Sequence, residues 1–279
     1  MHDTLTISII QCNSGSDLNQ NLDTLTHQLN TLPKTDVIIL PEMAAHRKVL
    51  STDPIEKETI PGPITTFFAN HAKKHQSWII IGSLCEAIPN SAKVYNTTVV
   101  LNPSGDVVTT YRKIHLFNCN IPNNTLNEST VFESGTTPQT VTIKNFKIGL
   151  SICYDLRFPE LFQYYSQQNV DLIVVPSSFT HTTGKAHWEP LLKARAIETQ
   201  CYIAAPNQYG QGGGNIRTYG HSFVIDPWGT ILNEGTDSKS DTFTTTLTKK
   251  KIQDVRQKLP IFTHKQLYNI PINTDNLKQ

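Results

Sequence analysis

The chain has 279 residues, of which 38% are hydrophobic and 17% charged, enough apolar material for one large α/β domain with a sizeable core. Lys and Arg (24) nearly balance Asp and Glu (23), and a net charge of +1 gives no field that would draw the chain to nucleic acid or a membrane surface. No run approaches the roughly 18 apolar residues of a membrane span, and the N-terminus enters a strand-like run with no secretory leader pattern. The five cysteines, Cys12, Cys85, Cys119, Cys153 and Cys201, are scattered and form no C-x-x-C pair. That excludes a disulfide framework and a thiolate zinc site, and it points to a reducing compartment, the cytoplasm.

In chain order, Leu5–Ile10 and Val37–Leu40 read as buried strands, with a helix from about Leu18 to Leu32 between them. Thr65–Gln76 reads as a helix, and Trp78–Leu84 and Val94–Leu101 as strands. Asn102-Pro103-Ser104-Gly105-Asp106 is a turn into Val107–Tyr111. The second half repeats the theme. Strands are expected at Lys147–Cys153, Leu172–Pro176 and Cys201–Ala205, and helices from Pro159 and over Trp188–Gln200. A hairpin, Gly220–Ile225 and Thr230–Asn233, turns on Asp226-Pro227-Trp228-Gly229; a helix over Lys249–Lys258 and a polar tail follow. The alternation predicts an α/β fold of nearly continuous apolar strands covered on both faces, in one domain over residues 1–279. Asn207–Tyr219, with Gly210, Gly212, Gly213 and Gly214, reads as a surface loop without the strand-then-helix setting of a phosphate cradle.

The most informative stretch is Lys147–Glu160. A buried strand ends at Cys153, and Pro159 sits at the first position of a helix. A nucleophile on such a strand-to-helix turn is exposed at the carboxyl edge of a sheet, where the next backbone N–H, that of Tyr154, can face a developing oxyanion. A lone Cys is more often a buried core thiol, so partners must decide. Glu42 follows the strand Val37–Leu40, and Lys113 follows Val107–Tyr111, placing a carboxylate and an ammonium at comparable edges. A thiol needs a base or a nearby cation to become a thiolate. Taken singly, Glu42 reads as a solvated loop acid and Lys113 as a surface cation. His115 ranks below Glu42 as the base, and the spacing of His181 and His187 lacks the context of a zinc helix, so no metal is expected.

Pro41-Glu42, Tyr111-Arg112-Lys113-Ile114-His115-Leu116 and Cys153-Tyr154-Asp155-Leu156-Arg157-Phe158-Pro159-Glu160, in that order, resemble the three signature segments of the nitrilase superfamily. His187-Trp188-Glu189, Lys193–Tyr202 and Gly220-His221-Ser222 with Asp226–Thr230 belong to the same pattern, and the later segments resemble the Nit branch, in particular its deaminated glutathione amidases. The resemblance implies a four-layer α-β-β-α sandwich that pairs as a homodimer through its helices. It implies Glu42 as general base, Lys113 as oxyanion-stabilising cation, Cys153 as nucleophile and Glu128 as a second acid, with no cofactor.

The resemblance also implies a substrate. Arg157 matches an arginine that binds the substrate carboxylate, and Phe179 and Thr183 match positions lining that pocket. The bland alternatives are an Arg157–Glu160 pair, Phe179 as core and Thr183 as a turn or cap residue. Together they favour a small amide of an α-keto dicarboxylate, such as deaminated glutathione cleaved to 2-oxoglutarate and cysteinylglycine. Alternatives are an ω-amidase acting on 2-oxoglutaramate, an N-carbamoyl or aliphatic amide hydrolase, and a non-catalytic binding module with a redox-sensing thiol. Two stretches depart from the pattern: Met43-Ala44-Ala45-His46-Arg47, where relatives often carry an aromatic, and the glycine-rich Asn207–Tyr219.

Overall fold

The computed structural model describes residues 3–48, 53–121, 124–212 and 216–266. Met1-His2, Pro122-Asn123, Gly213-Gly214 and most of the polar tail lie outside the described residues. Two sheets are stacked face to face. The first runs in the order Asp241–Thr248, Thr4–Gln11, Val37–Ile39, Trp78–Ala87, Val94–Leu101, Val107–Arg112. The second runs in the order Thr140–Ile143, Phe146–Leu150, Leu172–Val174, Tyr202–Ala205, Phe223–Ile225, Ile231–Glu234. Each has three neighbouring strands running parallel at its centre.

The layering follows from the two-residue period of strand side chains. Ile7, Ile9, Val37, Ile39 and Ile80 join the core between the sheets, together with Ile148, Leu150, Leu172 and Val174 from the other side. Their neighbours Ile10, Ile38, Leu40, Ile79 and Ile81 face outward, against Leu25 and Leu29 of the helix Leu18–Thr31 and Ile64, Phe68 and Ala72 of the helix Pro63–His75. The second sheet is covered by Leu161, Phe162 and Tyr165 of the helix Pro159–Gln167 and by Trp188, Leu192 and Ala196 of the helix His181–Thr199. The result is the expected α-β-β-α sandwich.

Three differences from the sequence reading stand out. The strand Asp241–Thr248 pairs along its whole length with Thr4–Gln11. Its run of threonines carries no apolar pattern, yet β-branched residues suit a half-exposed edge. The helix expected near Trp188 starts at His181. Within the loop Asn207–Tyr219, Tyr209–Gln211 pairs with Arg217–Tyr219 as a short hairpin.

Candidate active site

Glu42, Lys113 and Cys153 all lie just past the carboxyl ends of strands, the edge at which α/β sheets gather their sites. Glu42 is 4% exposed and Lys113 fully buried. Lys113 Nζ lies 3.0 Å from Glu42 Oε1 and 3.0 and 2.9 Å from the two oxygens of Glu128. Burial opposes the Lys113 charge, but Glu128 and Glu42 outweigh it and hold the ammonium well above its ordinary value. Glu128 also accepts the Phe117 N–H at 2.8 Å. Burial raises its carboxyl against the pull of Lys113, and Glu42 adds to the rise.

Further donors fix Glu42. Asn96 Nδ2 donates to Oε1 at 2.9 Å, and the Ser178 N–H donates to Oε2 at 2.9 Å. The buried Gln208 donates to the Glu42 carbonyl at 3.0 Å and more distantly, at 3.3 Å, to that of Met43. Met43 itself takes a left-handed φ of 56° and donates its N–H to Ser83 Oγ at 3.0 Å. Gly82 lies beneath this turn: a Cβ there would meet the Pro41 carbonyl oxygen at 2.1 Å and that of Leu40 at 2.2 Å. Only glycine admits this approach of backbone to backbone.

Cys153 opens the 3₁₀ segment Cys153–Arg157 with φ at 47°, a left-handed conformation that costs a non-glycine residue and recurs at functional turns. Its N–H donates to the Pro176 carbonyl at 2.9 Å. Burial pushes the thiol well above its ordinary value, Glu42 adds to the rise, and Lys113 and the Ser178 N–H oppose it. The resting sulfur is therefore a thiol beside a hydrogen-bonded carboxylate, a pair that can exchange a proton when substrate arrives.

Asp155, fully buried, locks the lysine loop to the cysteine turn. Its carboxylate accepts the Tyr111 hydroxyl at 2.6 Å and the Ile152 N–H at 2.9 Å. It also meets the backbone N–H of His115 at 3.0 Å and the ring nitrogen Nδ1 at 2.7 Å. The His115 ring stacks on Phe158 at 3.7 Å, which makes it a framework residue.

The substrate-binding candidates divide. Arg157 lies over the Phe179 ring at 5.2 Å and the Tyr154 ring at 5.8 Å, with Nη1 3.3 Å from His187 Nδ1. Among the described residues it has no carboxylate partner, so the suggested pairing with Glu160 is not made. Tyr154 packs against Phe117 and Phe158, and Phe179 against Trp188. Thr183 turns its hydroxyl 2.7 Å from that of Thr180, as a helix-start residue. Nothing in the sequence marks Asn96, Ser178 or Gln208, each an ordinary polar residue of a strand or loop.

The chain matches the carbon-nitrogen hydrolase family over residues 6–257. It belongs to that family. The deaminated glutathione amidase of Dictyostelium discoideum is 37% identical over 249 residues, 86% of this chain and 85% of that one. The omega-amidase NIT2 of Mus musculus is 34% identical over 272 residues, 96% of this chain and 98% of that one. The crystal structure of a CN-hydrolase superfamily protein from Xanthomonas campestris superimposes with a TM-score of 0.84 at 27% identity, covering 97% of this chain and 100% of that one. This carbon-nitrogen hydrolase is accordingly an enzyme that cuts carbon–nitrogen bonds of amides. No helix among its described residues is long and apolar enough to cross a membrane.

Proposed function

We propose that the chain hydrolyses a small carboxylate-bearing amide, deaminated glutathione, through a thioester on Cys153. The observation that carries this is the buried Lys113 ammonium held within 3.0 Å of both Glu42 and Glu128, with the Ser178 N–H donating to Glu42. Glu42 takes the thiol proton, and the thiolate attacks the amide carbonyl. The negative oxygen is held by Lys113 and the Tyr154 N–H; one such donor is worth about 3 kcal/mol of barrier. Glu42 returns the proton to the leaving amine, cysteinylglycine departs, and a water activated by the same carboxylate frees 2-oxoglutarate. Glu128 holds Lys113 in place. Arg157, a guanidinium beside Phe179 and Tyr154 with no acidic partner among the described residues, suits a substrate carboxylate.

The Dictyostelium discoideum relative supports this substrate, and the Mus musculus relative, similar over 96% of the chain, favours 2-oxoglutaramate as a second reading. Comparing kcat/KM on the two amides decides. Cys153→Ala is expected to remove at least about a thousandfold of the turnover. Full retained turnover, or a strong preference for 2-oxoglutaramate, overturns the mechanism or the substrate respectively.

We place the enzyme in the cytoplasm as a homodimer built from one domain spanning residues 1–279. Cys12, Cys85, Cys153 and Cys201 are buried free thiols, which suits a reducing compartment. Tyr164, Ile197 and Trp228 are large apolar side chains exposed on the helix-covered side of the second sheet. The even charge balance gives no basis for a nucleic-acid partner.

A further inference from the structure

Arg47 is 8% exposed and, among the described residues, has no carboxylate in ion-pair contact. Burying a guanidinium among neutral groups is unfavourable unless every donor is met. Here each is. Nε donates to the Ser14 carbonyl at 3.0 Å, and Nη2 to Asn13 Oδ1 at 2.6 Å and the Gln211 carbonyl at 3.0 Å. Nη1 donates to Ser178 Oγ at 3.1 Å, with a longer contact of 3.5 Å to Thr218 Oγ1. Five N–H groups on five oxygens leave none for a substrate. Burial lowers the guanidinium to about 10, with Cys12 and Glu42 opposing the fall, so it stays charged at neutral pH.

Those oxygens come from three segments with no common role in the sequence. Asn13 and Ser14 follow the first strand. Gln211 and Thr218 lie on the two arms of the hairpin within Asn207–Tyr219. Ser178 supplies the N–H that Glu42 accepts and that favours the Cys153 thiolate. The hairpin is itself tied to the Ser178 segment, since the Tyr219 N–H donates to the Phe179 carbonyl at 2.9 Å and Thr180 bridges to Thr218. The centre sets two carboxylates, Glu42 and Glu128, against one ammonium, Lys113. Arg47 adds a cation that borders it through Ser178.

We propose that Arg47 is a positioning residue of the catalytic centre: by gripping Ser178 Oγ and both arms of the hairpin, it keeps the Ser178 N–H on Glu42, beside Cys153. The inference rests on the reading of Glu42 as base and Cys153 as nucleophile. It also gives the glycine-rich hairpin a task, since a Cβ at Gly212 would come within 3.2 Å of Arg47 Nη1.

The test uses Arg47→Gln, Arg47→Lys, Ser178→Ala and the Arg47→Gln/Ser178→Ala double variant. Two quantities are read: kcat and KM on the preferred amide, and the pH profile of Cys153 alkylation by iodoacetamide, followed by peptide mass. The charged groups facing the sulfur are Glu42, Lys113 and Glu128. Arg47→Gln is expected to lower kcat about tenfold with little change in KM. It should also displace the alkylation profile upward by about one pH unit, because loosening the Ser178 N–H removes an influence that favours the thiolate. Arg47→Lys keeps the charge without the fork, so its profile stays nearer wild type while kcat still falls. Because Arg47 acts through Ser178, the double variant should be no slower than Arg47→Gln alone.

Wild-type kcat and an unmoved profile in Arg47→Gln overturn the proposal, as do Arg47 and Ser178 effects that multiply independently. Should Arg47→Gln not fold, a wild-type kcat in both Arg47→Lys and Ser178→Ala overturns it, and a fall in both supports it. A wild-type enzyme inert on every amide strikes the functional reading instead, and the alkylation profiles still decide for Arg47.

Discussion

Burial is the main reason the Cys153 thiol holds its proton at rest; Glu42 and, more weakly, Glu128 add to it, and Lys113 opposes them. Replacing Glu128 by Gln removes one of the two carboxylate charges. The thiol should then ionise more readily, so the pH profile of Cys153 alkylation moves down, the reverse of the shift expected for Arg47→Gln. Turnover nonetheless falls, by about tenfold, because Lys113 loses the partner that aims it; an unmoved or raised profile rejects this account. Asn96 poses a second case. Its Nδ2 holds Glu42, while its buried Oδ1 has no hydrogen-bond partner among the described residues, an uncompensated cost accepted beside the proposed base. Asn96→Ala is expected to cut kcat about tenfold with KM nearly unchanged; equal falls in kcat and in binding would assign it to the substrate. Glu42, Lys113 and Cys153 are legible in the sequence because thiol, ammonium and carboxylate are chemistry-bearing types in recognisable segments. Asn96, Ser178 and Arg47 are not, since their roles come from what folding sets beside them.

The turn carrying Cys153 must take a left-handed φ of 47°, a conformation that favours glycine. With the sulfur removed, Cys153→Gly should therefore be more stable than Cys153→Ala by ~0.5–1 kcal/mol in denaturant unfolding. The reverse order would mean that the turn is not strained. Gly82 acts on the opposite element: a Cβ 2.1 Å from the Pro41 carbonyl oxygen forces the Pro41-Glu42 turn to move. Gly82→Ala should then lose activity on any amide and stability together, and a variant with wild-type kcat shows that the turn can yield. Much of the element order can be read directly, because the buried strands are short apolar runs. What escapes has a local reason. Gly184 looks like a helix breaker, yet it lies inside His181–Thr199, where a Cβ would meet Tyr219 at 2.5 Å. The threonine-rich strand Asp241–Thr248 buries only Leu247, so it has no apolar period to read.

At the scale of the whole molecule, the two outer helix layers differ in what they leave uncovered. On the second sheet's side, Tyr164 is 41%, Ile197 49% and Trp228 54% exposed. Single exposed apolar residues mean little, whereas adjoining ones mark an interface. Ile197 and the Trp228-Gly229 turn do adjoin, because a Cβ on Gly229 would stand 2.8 Å from Ile197 Cδ1. Tyr164 lies on the helix packed beside that of Ile197. Pairing across this face would stack two sandwiches helix to helix and leave the strand edge carrying Glu42, Lys113 and Cys153 open. A stable pair needs about 800 Å² from each partner, more than these three side chains alone supply, so the two helices must contribute along their length. Sedimentation equilibrium should accordingly find a dimer, and Ile197→Lys/Trp228→Lys should shift it toward monomer while each subunit stays folded by circular dichroism. A monomeric wild type rejects the pairing outright, and a double variant that remains dimeric moves it to another face.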